Sequence, residues 1–388
     1  MSILVRDVLN LELLKDAKLI TGKGGLNREV LRVNFTDCPL STGDPGYALV
    51  QKGDLYILSL YIQSQNEVEL YNLINFYIQT GSACCIAINT YVKDFPDSVK
   101  YLADKNNYPI ISVSDDVPYA NLIQKISNLL MTEQLDMFTE VKLYSLLHEQ
   151  HSVREQQDIL SYLVPNCPIK FACIYVKFFK SPPRILRSLK NNIFEQIHTP
   201  FLNYQNGGFL VADLGIYKKL DVILRALAKA FFPDTPDYSV GISNFSDSVE
   251  HLAAAFHEAV DAALIGEITG TQITYYEKIP VYHLLLPLKS HHSLKAYCEY
   301  ILGPLQAYEA RHNVELLQTV AVYLELNGNI AQTAAQMNTH ANTIRFRINK
   351  ARALLGLENE PYIFIEQLSV ALKGERLLKQ QSNLENDK

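Results

Sequence analysis

The spacing of apolar residues changes along this chain, and the changes divide it. Up to about residue 130, short apolar runs alternate with stretches of helical period. Residues 55–60, 83–88 and 110–113 read as strands, and 68–78, 98–105 and 119–131 as helices. Such alternation predicts a mostly parallel sheet flanked by helices, an α/β domain over residues 1–130. Residues 131–167 follow as a helical connector. Its apolar seam of Leu135, Phe138, Val141, Leu146 and Leu147 is broken by HEQHSVREQQD and closed at Pro165. The seam is too short and irregular to specify a coiled coil, yet it can pack against a partner subunit. A second unit over residues 168–290 has strands expected at 171–176, 209–212, 239–242 and 272–276, with a further short one possible at 201–204. Its helices are expected near 183–196, 217–231 and 248–265.

From residue 291 the period is helical throughout. Val314, Leu317, Val320, Ala321 and Leu324 predict an amphipathic helix that stops at Asn327-Gly328, and Asn329 can cap the next. That second helix is short, about 330–337, with Ile330, Ala334 and Met337 on one face and Ala335 beside it. After the turn Asn338-Thr339-His340, a third helix begins near Ala341 and carries a buried stripe of Ile344, Ile348, Ala351 and Leu355. Two helices joined by so short a turn, with small alanines where the second must approach, form the helix-turn-helix pattern. A further amphipathic helix with Ile365, Leu368, Ala371 and Leu372 is expected to cover this module, within residues 291–380.

Composition sharpens that reading. The 388 residues suffice for two or three domains, and 41 acidic against 35 basic residues give a net charge of -6. A basic sheath over nucleic acid is excluded, so any DNA binding must be focused in one element. Between Leu326 and Leu357 there are four Arg and Lys residues and no Asp or Glu. Asn342, Thr343 and Arg345 lie in the first turns of the third helix, where a recognition helix meets base edges. Asn pairs with adenine, Arg with guanine, and Thr offers a methyl or hydroxyl. Arg347, Lys350 and Arg352 suit phosphates or the flanks of the helix. The competing reading of the same face is a basic surface helix of a protein-interaction module. Acidic residues early in the N-terminal sequence and the lack of any long apolar run point to a soluble, cytoplasmic protein with no membrane span. The six cysteines form no CxxC and read as buried thiols.

At these residues a resemblance becomes specific. LELNGNIAQTAAQMNTHANTIRFRINKARALLGL resembles the C-terminal helix-turn-helix of the purine-catabolism-regulator and sugar-diacid-regulator family of bacterial transcription factors. NGN, TAAQM, NTHANTIRFRI and the closing LLGL carry the likeness. The resemblance implies DNA contact by Asn342, Thr343, Arg345 and Arg347, with His340 capping or supporting the helix. It also implies binding to double-stranded DNA as a homodimer or larger assembly, and a response to metabolites. GLNREVLRVNFTD followed by KGDLYILS is similar to the N-terminal domain of the purine-catabolism branch. The central unit resembles the diguanylate-cyclase-like domain of the same family, an α+β fold. The active cyclase needs adjacent glycines followed by carboxylates, whereas this chain has Asn206-Gly207-Gly208-Phe209-Leu210. Phe and Leu cannot hold Mg²⁺, so the turn can survive as geometry without its chemistry.

Other candidate chemistry is sparse. TGKGGLNRE, with Gly22, Gly24 and Gly25, matches no phosphate loop and reads as a tight turn. The expected carboxyl ends of the first domain's strands deliver Ser59, Asn89, Thr90, Ser114 and Asp115, which can hold a small metabolite, although strand-end loops are polar in any such fold. His148 and His151 lack a third ligand at metal spacing and read as a solvated helix face. No catalytic set and no cofactor motif emerges. The expectation is a non-enzymatic, sequence-specific DNA-binding regulator controlled by a small metabolite or a partner. A nucleotide-binding but inactive signalling protein and a helical interaction module are the alternatives.

Overall fold

Five strands build the first sheet: β1 (Lys18–Thr21), β2 (Arg32–Thr36), β3 (Asp54–Leu58), β4 (Cys84–Ile88) and β5 (Ile110–Val113), in the order β1-β5-β4-β3-β2. The computed structural model describes residues 2–36, 50–61, 63–179, 199–215, 220, 223–225 and 238–386. The helix expected at 183–196, most of that expected at 217–231, and Cys38 lie outside the described residues. Contacts divide the chain into two units, Met1–Val141 and Lys142–Lys388.

In the first unit, β2 to β5 run parallel and β1 joins the edge antiparallel. Every residue of β3, β4 and β5 is buried, as a sheet covered on both faces requires. Alternate residues point to opposite sides. Leu55, Ile57, Ile86 and Ile111 meet α1 (Val5–Leu9) and the start of α4 (Tyr119–His148). Tyr56, Leu58, Cys85 and Ala87 meet α2 (Glu67–Gln79) and α3 (Asp97–Lys105). The α/β expectation therefore holds. Asp54, the first residue of β3, is buried but satisfied: Arg32 forks onto it at 2.8 and 3.0 Å, and the Gln51 amide donates at 2.8 Å. Burial and this carboxylate push the Tyr56 hydroxyl up to about 12. The glycine stretch is a turn, with Gly22 at φ 77 and its amide donating to Asp104 at 2.6 Å.

The second unit holds β6 (Phe171–Phe178), β7 (Leu202–Tyr204), β8 (Gly207–Asp213), β9 (Tyr238–Ile242) and β10 (Ile273–Tyr275), ordered β10-β9-β6-β8-β7. β6 is antiparallel to both β8 and β9, β7 to β8, and β10 is parallel to β9. The possible strand near 201–204 is the first arm of a hairpin in which Tyr204 faces Gly207. Helix α6 (Leu252–Thr269) packs on this sheet through Ala255, Phe256, Ala259 and Ala263, against Cys173, Tyr175 and Phe209. The same core takes Leu143 and Leu146 from the end of α4, and Ile159, Leu160 and Leu163 from α5 (Val153–Leu163). The stretch read as a connector is therefore partly core of this unit. A capping box explains its break. The Ser152 amide donates to Glu155 at 2.9 Å, and Ser152 Oγ accepts from the Glu155 amide at 3.4 Å, which starts a new helix after His148. His148 is exposed, as expected, and its Nε2 also lies 2.8 Å from the Tyr204 hydroxyl. Among the described residues no cluster of three or more His, Cys, Asp or Glu could hold a metal.

The rest of the second unit is helical: α7 (Pro280–Leu285), α8 (His292–His312), α9 (Leu316–Glu325), α10 (Ile330–Gln336), α11 (Ala341–Leu354) and α12 (Pro361–Asn386). One apolar core joins Leu302 and Leu305 of α8, Val320 of α9, Ile344 and Ile348 of α11, and Phe364 and Leu368 of α12 to Ile265 of α6. No helix among the described residues is long and apolar enough to cross a membrane.

Candidate nucleic-acid interface

Helices α9, α10 and α11 are short, so their ends decide their geometry. Each stops in the same way, with a left-handed residue just past its end: Asn327 at φ 52, Asn338 at φ 48 and Gly356 at φ 68. In each case the amide of that residue and the amide of the next return to carbonyls of the last turn. Thr339 N donates to Ala334 O at 2.9 Å and Asn338 N to Ala335 O at 3.3 Å; Gly328 and Leu357 close the other two ends at 2.8 and 2.9 Å. This is the double-bonded helix stop that leaves few carbonyls orphaned. The starts are capped by side chains. Asn329 Oδ1 accepts from the Gln332 amide at 3.0 Å, and His340 Nδ1 accepts from the Asn342 amide at 3.2 Å. Both caps match their expected roles.

The buried side of α11 is the expected stripe, since Ile344, Ile348 and Ala351 are at most 2% exposed. Leu355 is only half-buried. Asn342, Thr343 and Arg345 are exposed, and the Arg345 guanidinium donates to Asn342 Oδ1 at 2.9 Å. The other three cations are engaged within the module. Arg347, whose side chain is 15% exposed, donates to Thr319 Oγ1 of α9 at 3.0 Å and lies 3.6 Å from the Glu315 carboxylate. The Lys350 ammonium stands 4.8 Å from the Tyr308 ring centre on α8, and the Arg352 guanidinium 5.3 Å from that of Phe364 on α12. These contacts tie α11 to three neighbouring helices, a role that the even spacing of charge does not announce. Phe346 and Asn349 share the open face with Asn342 and Arg345, and sequence reasoning passed over both. Helical phase could have found them. At about 100° per residue, Phe346 stands about 200° from Ile344.

The strand-end residues of the first unit are placed as expected by the parallel pairing. Ser59 follows β3, Asn89 and Thr90 follow β4, and Ser114 and Asp115 follow β5, all on one edge. Ser59 and Asn89 are half-buried, and the other three are exposed. The parallel strands run β2, β3, β4, β5 in sequence order, so the described strands have no reversal of the kind that opens a crevice. In the second unit, a cleft of about 660 Å³ is lined by Gln156, Gln157 and Ser161 of α5, with Cys167, Glu250 and Leu252 opposite. The NGG turn is accounted for by packing. A Cβ on Gly207 would sit 1.9 Å from Val176 O, and Phe209 and Leu210 are buried strand residues.

The family model for the purine catabolism regulatory protein-like family matches residues 7–130, the first unit's α/β fold. That for the PucR C-terminal helix-turn-helix domain matches residues 316–373, from α9 into α12. Both ends of this chain are PucR-like. A stretch of 144 residues is 31% identical to the Purine catabolism regulatory protein of Bacillus subtilis (strain 168), over 36% of this chain and 26% of that protein. Another of 127 residues is 30% identical to the Proline-responsive transcriptional activator PutR of the same organism, over 32% of this chain and 31% of the relative. The DNA-binding transcriptional activator AdeR, also from that organism, is 19% identical over 142 residues, 35% of this chain and 34% of its own length. The chain thus spans about a quarter to a third of the length of the curated relatives it matches. The PucR-like helix-turn-helix is the part that carries α11 and its open face.

Proposed function

We propose that this chain is a sequence-specific DNA-binding transcriptional regulator without catalysis, acting in the cytoplasm as a homodimer or larger assembly. The observation that carries the reading is the face of α11. Asn342, Thr343 and Arg345 are exposed in its first turns, in a stretch from Leu326 to Leu357 with no acidic residue. Helix α10 is held against α11 by a turn fixed at both ends, so α11 can enter a major groove as a rigid rod. Asn342, Thr343 and Arg345 read base edges. Arg347, Lys350 and Arg352 hold the rod in place and add positive potential at its flanks. A dimer sets two such helices about 34 Å apart, or a multiple of that, and matches an inverted repeat.

The finer organisation belongs to the same proposal. Residues 1–130 form the regulatory domain, 131–167 link it onward, 168–290 form a cyclase-like domain stripped of its chemistry, and 291–380 bind DNA. The antiparallel β7–β8 hairpin with its glycine pair, lying next to the central strand β6 in the order β10-β9-β6-β8-β7, is what supports the cyclase-like reading. A small polar metabolite is the effector, held at the strand ends by Ser59, Asn89, Thr90, Ser114 and Asp115. The experiment is selection of genomic fragments by the purified full chain. The reading expects enrichment of a shared inverted repeat whose binding weakens as salt rises. Recovery of no sequence above background, with no salt-dependent affinity, would replace it with the interaction-module reading.

A further inference from the structure

Phe346 is 60% exposed on α11, on the face that the DNA-binding reading turns to the groove. It stands one turn on from Asn342 and one before Asn349, beside Arg345, and away from the buried stripe of Ile344, Ile348 and Ala351. Helical side chains lean toward the N-terminus of their helix, so the ring projects toward the turn that holds Asn342 and Thr343. The neighbours on this face form hydrogen bonds; a phenyl ring does not. In the major groove the apolar group that a base pair presents is the 5-methyl of thymine.

We infer that Phe346 is a specificity-determining residue that packs on a thymine methyl in the operator, next to the base pair read by Asn342 and Arg345. The inference rests on the DNA-binding reading and adds a base preference to it. The absence of acid from Leu326 to Leu357 suits the occupant, because a face to be buried against phosphate-lined groove walls tolerates an apolar ring but not a carboxylate. Asn342 and Arg345 bond to each other in the free chain at 2.9 Å, and they must exchange that bond for base edges. The ring needs no such exchange. Its contact is gained wholly on binding, and it discriminates thymine from cytosine and from uracil by one methyl group.

The test replaces each thymine of the selected operator in turn by uracil, which removes the methyl and keeps the other groove groups. Full-length protein, Phe346→Ala and Phe346→Leu are titrated on each duplex. One position in each half-site should lower wild-type affinity roughly three- to six-fold, the effect of one buried methyl. Phe346→Ala should bind thymine and uracil duplexes equally there, Phe346→Leu should keep part of the difference, and neither should change the salt slope. The inference is overturned if wild-type protein binds every uracil duplex as tightly as the parent while Arg345→Ala still abolishes specific binding. In that case the DNA-binding reading stands without it. It is also overturned if Phe346→Ala leaves every thymine-to-uracil ratio unchanged and instead alters the sedimentation of the free protein, which would assign the ring to a protein contact. Failure of the wild type to bind any duplex specifically removes the DNA-binding reading and this inference together.

Discussion

Arg347→Ala separates the residues that hold α11 from those that meet DNA. The truncation removes a charged donor from Thr319 Oγ1 at 3.0 Å and a cation from the Glu315 carboxylate at 3.6 Å. A hydrogen bond from a charged group is worth about 1.5–3 kcal/mol. Glu315 is 65% exposed, so its ion pair adds at most a few tenths of a kcal/mol. Thr319 is fully buried, but its hydroxyl still donates to the Glu315 carbonyl, so no donor is orphaned and the cost falls toward the lower end. The sum is about 2 kcal/mol, local to the contact between α9 and α11. Hydrogen exchange read by mass spectrometry on the full chain is the assay. Peptides from α9 and α11 should exchange roughly 30-fold faster, since about 1.4 kcal/mol is one decade, and peptides from the first sheet should not change. The folded module stays dominant, so operator affinity should fall far less than for Arg345→Ala. Unchanged exchange, together with weaker binding to all DNA and a smaller salt slope, would make Arg347 a phosphate contact and refute the reasoning.

Ile344→Ala, at a fully buried position, should destabilise the helix-turn-helix by about 2–5 kcal/mol, read as loss of exchange protection in α9 to α11; a cost below 1 kcal/mol would contradict the packing. Burial pushes the Asp261 carboxyl up from 3.8 to about 6, against a smaller opposing pull from Lys289 and His283. A raised carboxyl favours the folded state fully below its unfolded value and loses that contribution as pH rises through the folded one, so wild-type stability should fall between about pH 4 and 6 relative to Asp261→Asn. Parallel stability curves for the two proteins across that window, from urea titrations, would contradict this. A small polar metabolite that raises the melting temperature should do so less when Ser59, Asn89 and Asp115 are all changed to alanine. A shift of wild-type size in that triple variant would move the effector site elsewhere, with the cleft beside α5 the next place to test.

Much of the helix-turn-helix is legible in the sequence because its signals are local. Asn329 and His340 cap the helices they precede, and the i, i+4, i+7 spacing of Ile344, Ile348 and Ala351 fixes the inward face of α11. The roles of Arg347, Lys350 and Arg352 were not legible, because each depends on a ring or hydroxyl from another helix. Thr319 is 28 residues from Arg347 in the chain. The first sheet was readable from runs such as residues 84–88, which are apolar enough to be buried on both faces. The antiparallel pairing of β6 was harder. The Asn206-Gly207 turn between β7 and β8 is local and readable, but β6 pairs with β8 and β9, strands that lie about thirty or more residues further along the chain, and nothing local announces those partners. The end of α4 and α5 could be read as helices, but nothing local in Leu146 or Leu160 says that they pack beneath β6 and β8.

The central claim is that the exposed start of α11 reads DNA. Its most direct test is fluorescence anisotropy of the full chain on the selected operator and on a scrambled duplex, for wild type and Arg345→Ala, across a salt series. Arg345 touches Asn342 and makes none of the contacts that tie α11 to its neighbours, so the variant should keep the wild-type circular dichroism. It should lose about 1–3 kcal/mol of affinity for the operator and little for the scrambled duplex. Unchanged operator affinity and salt slope in that variant would contradict the claim.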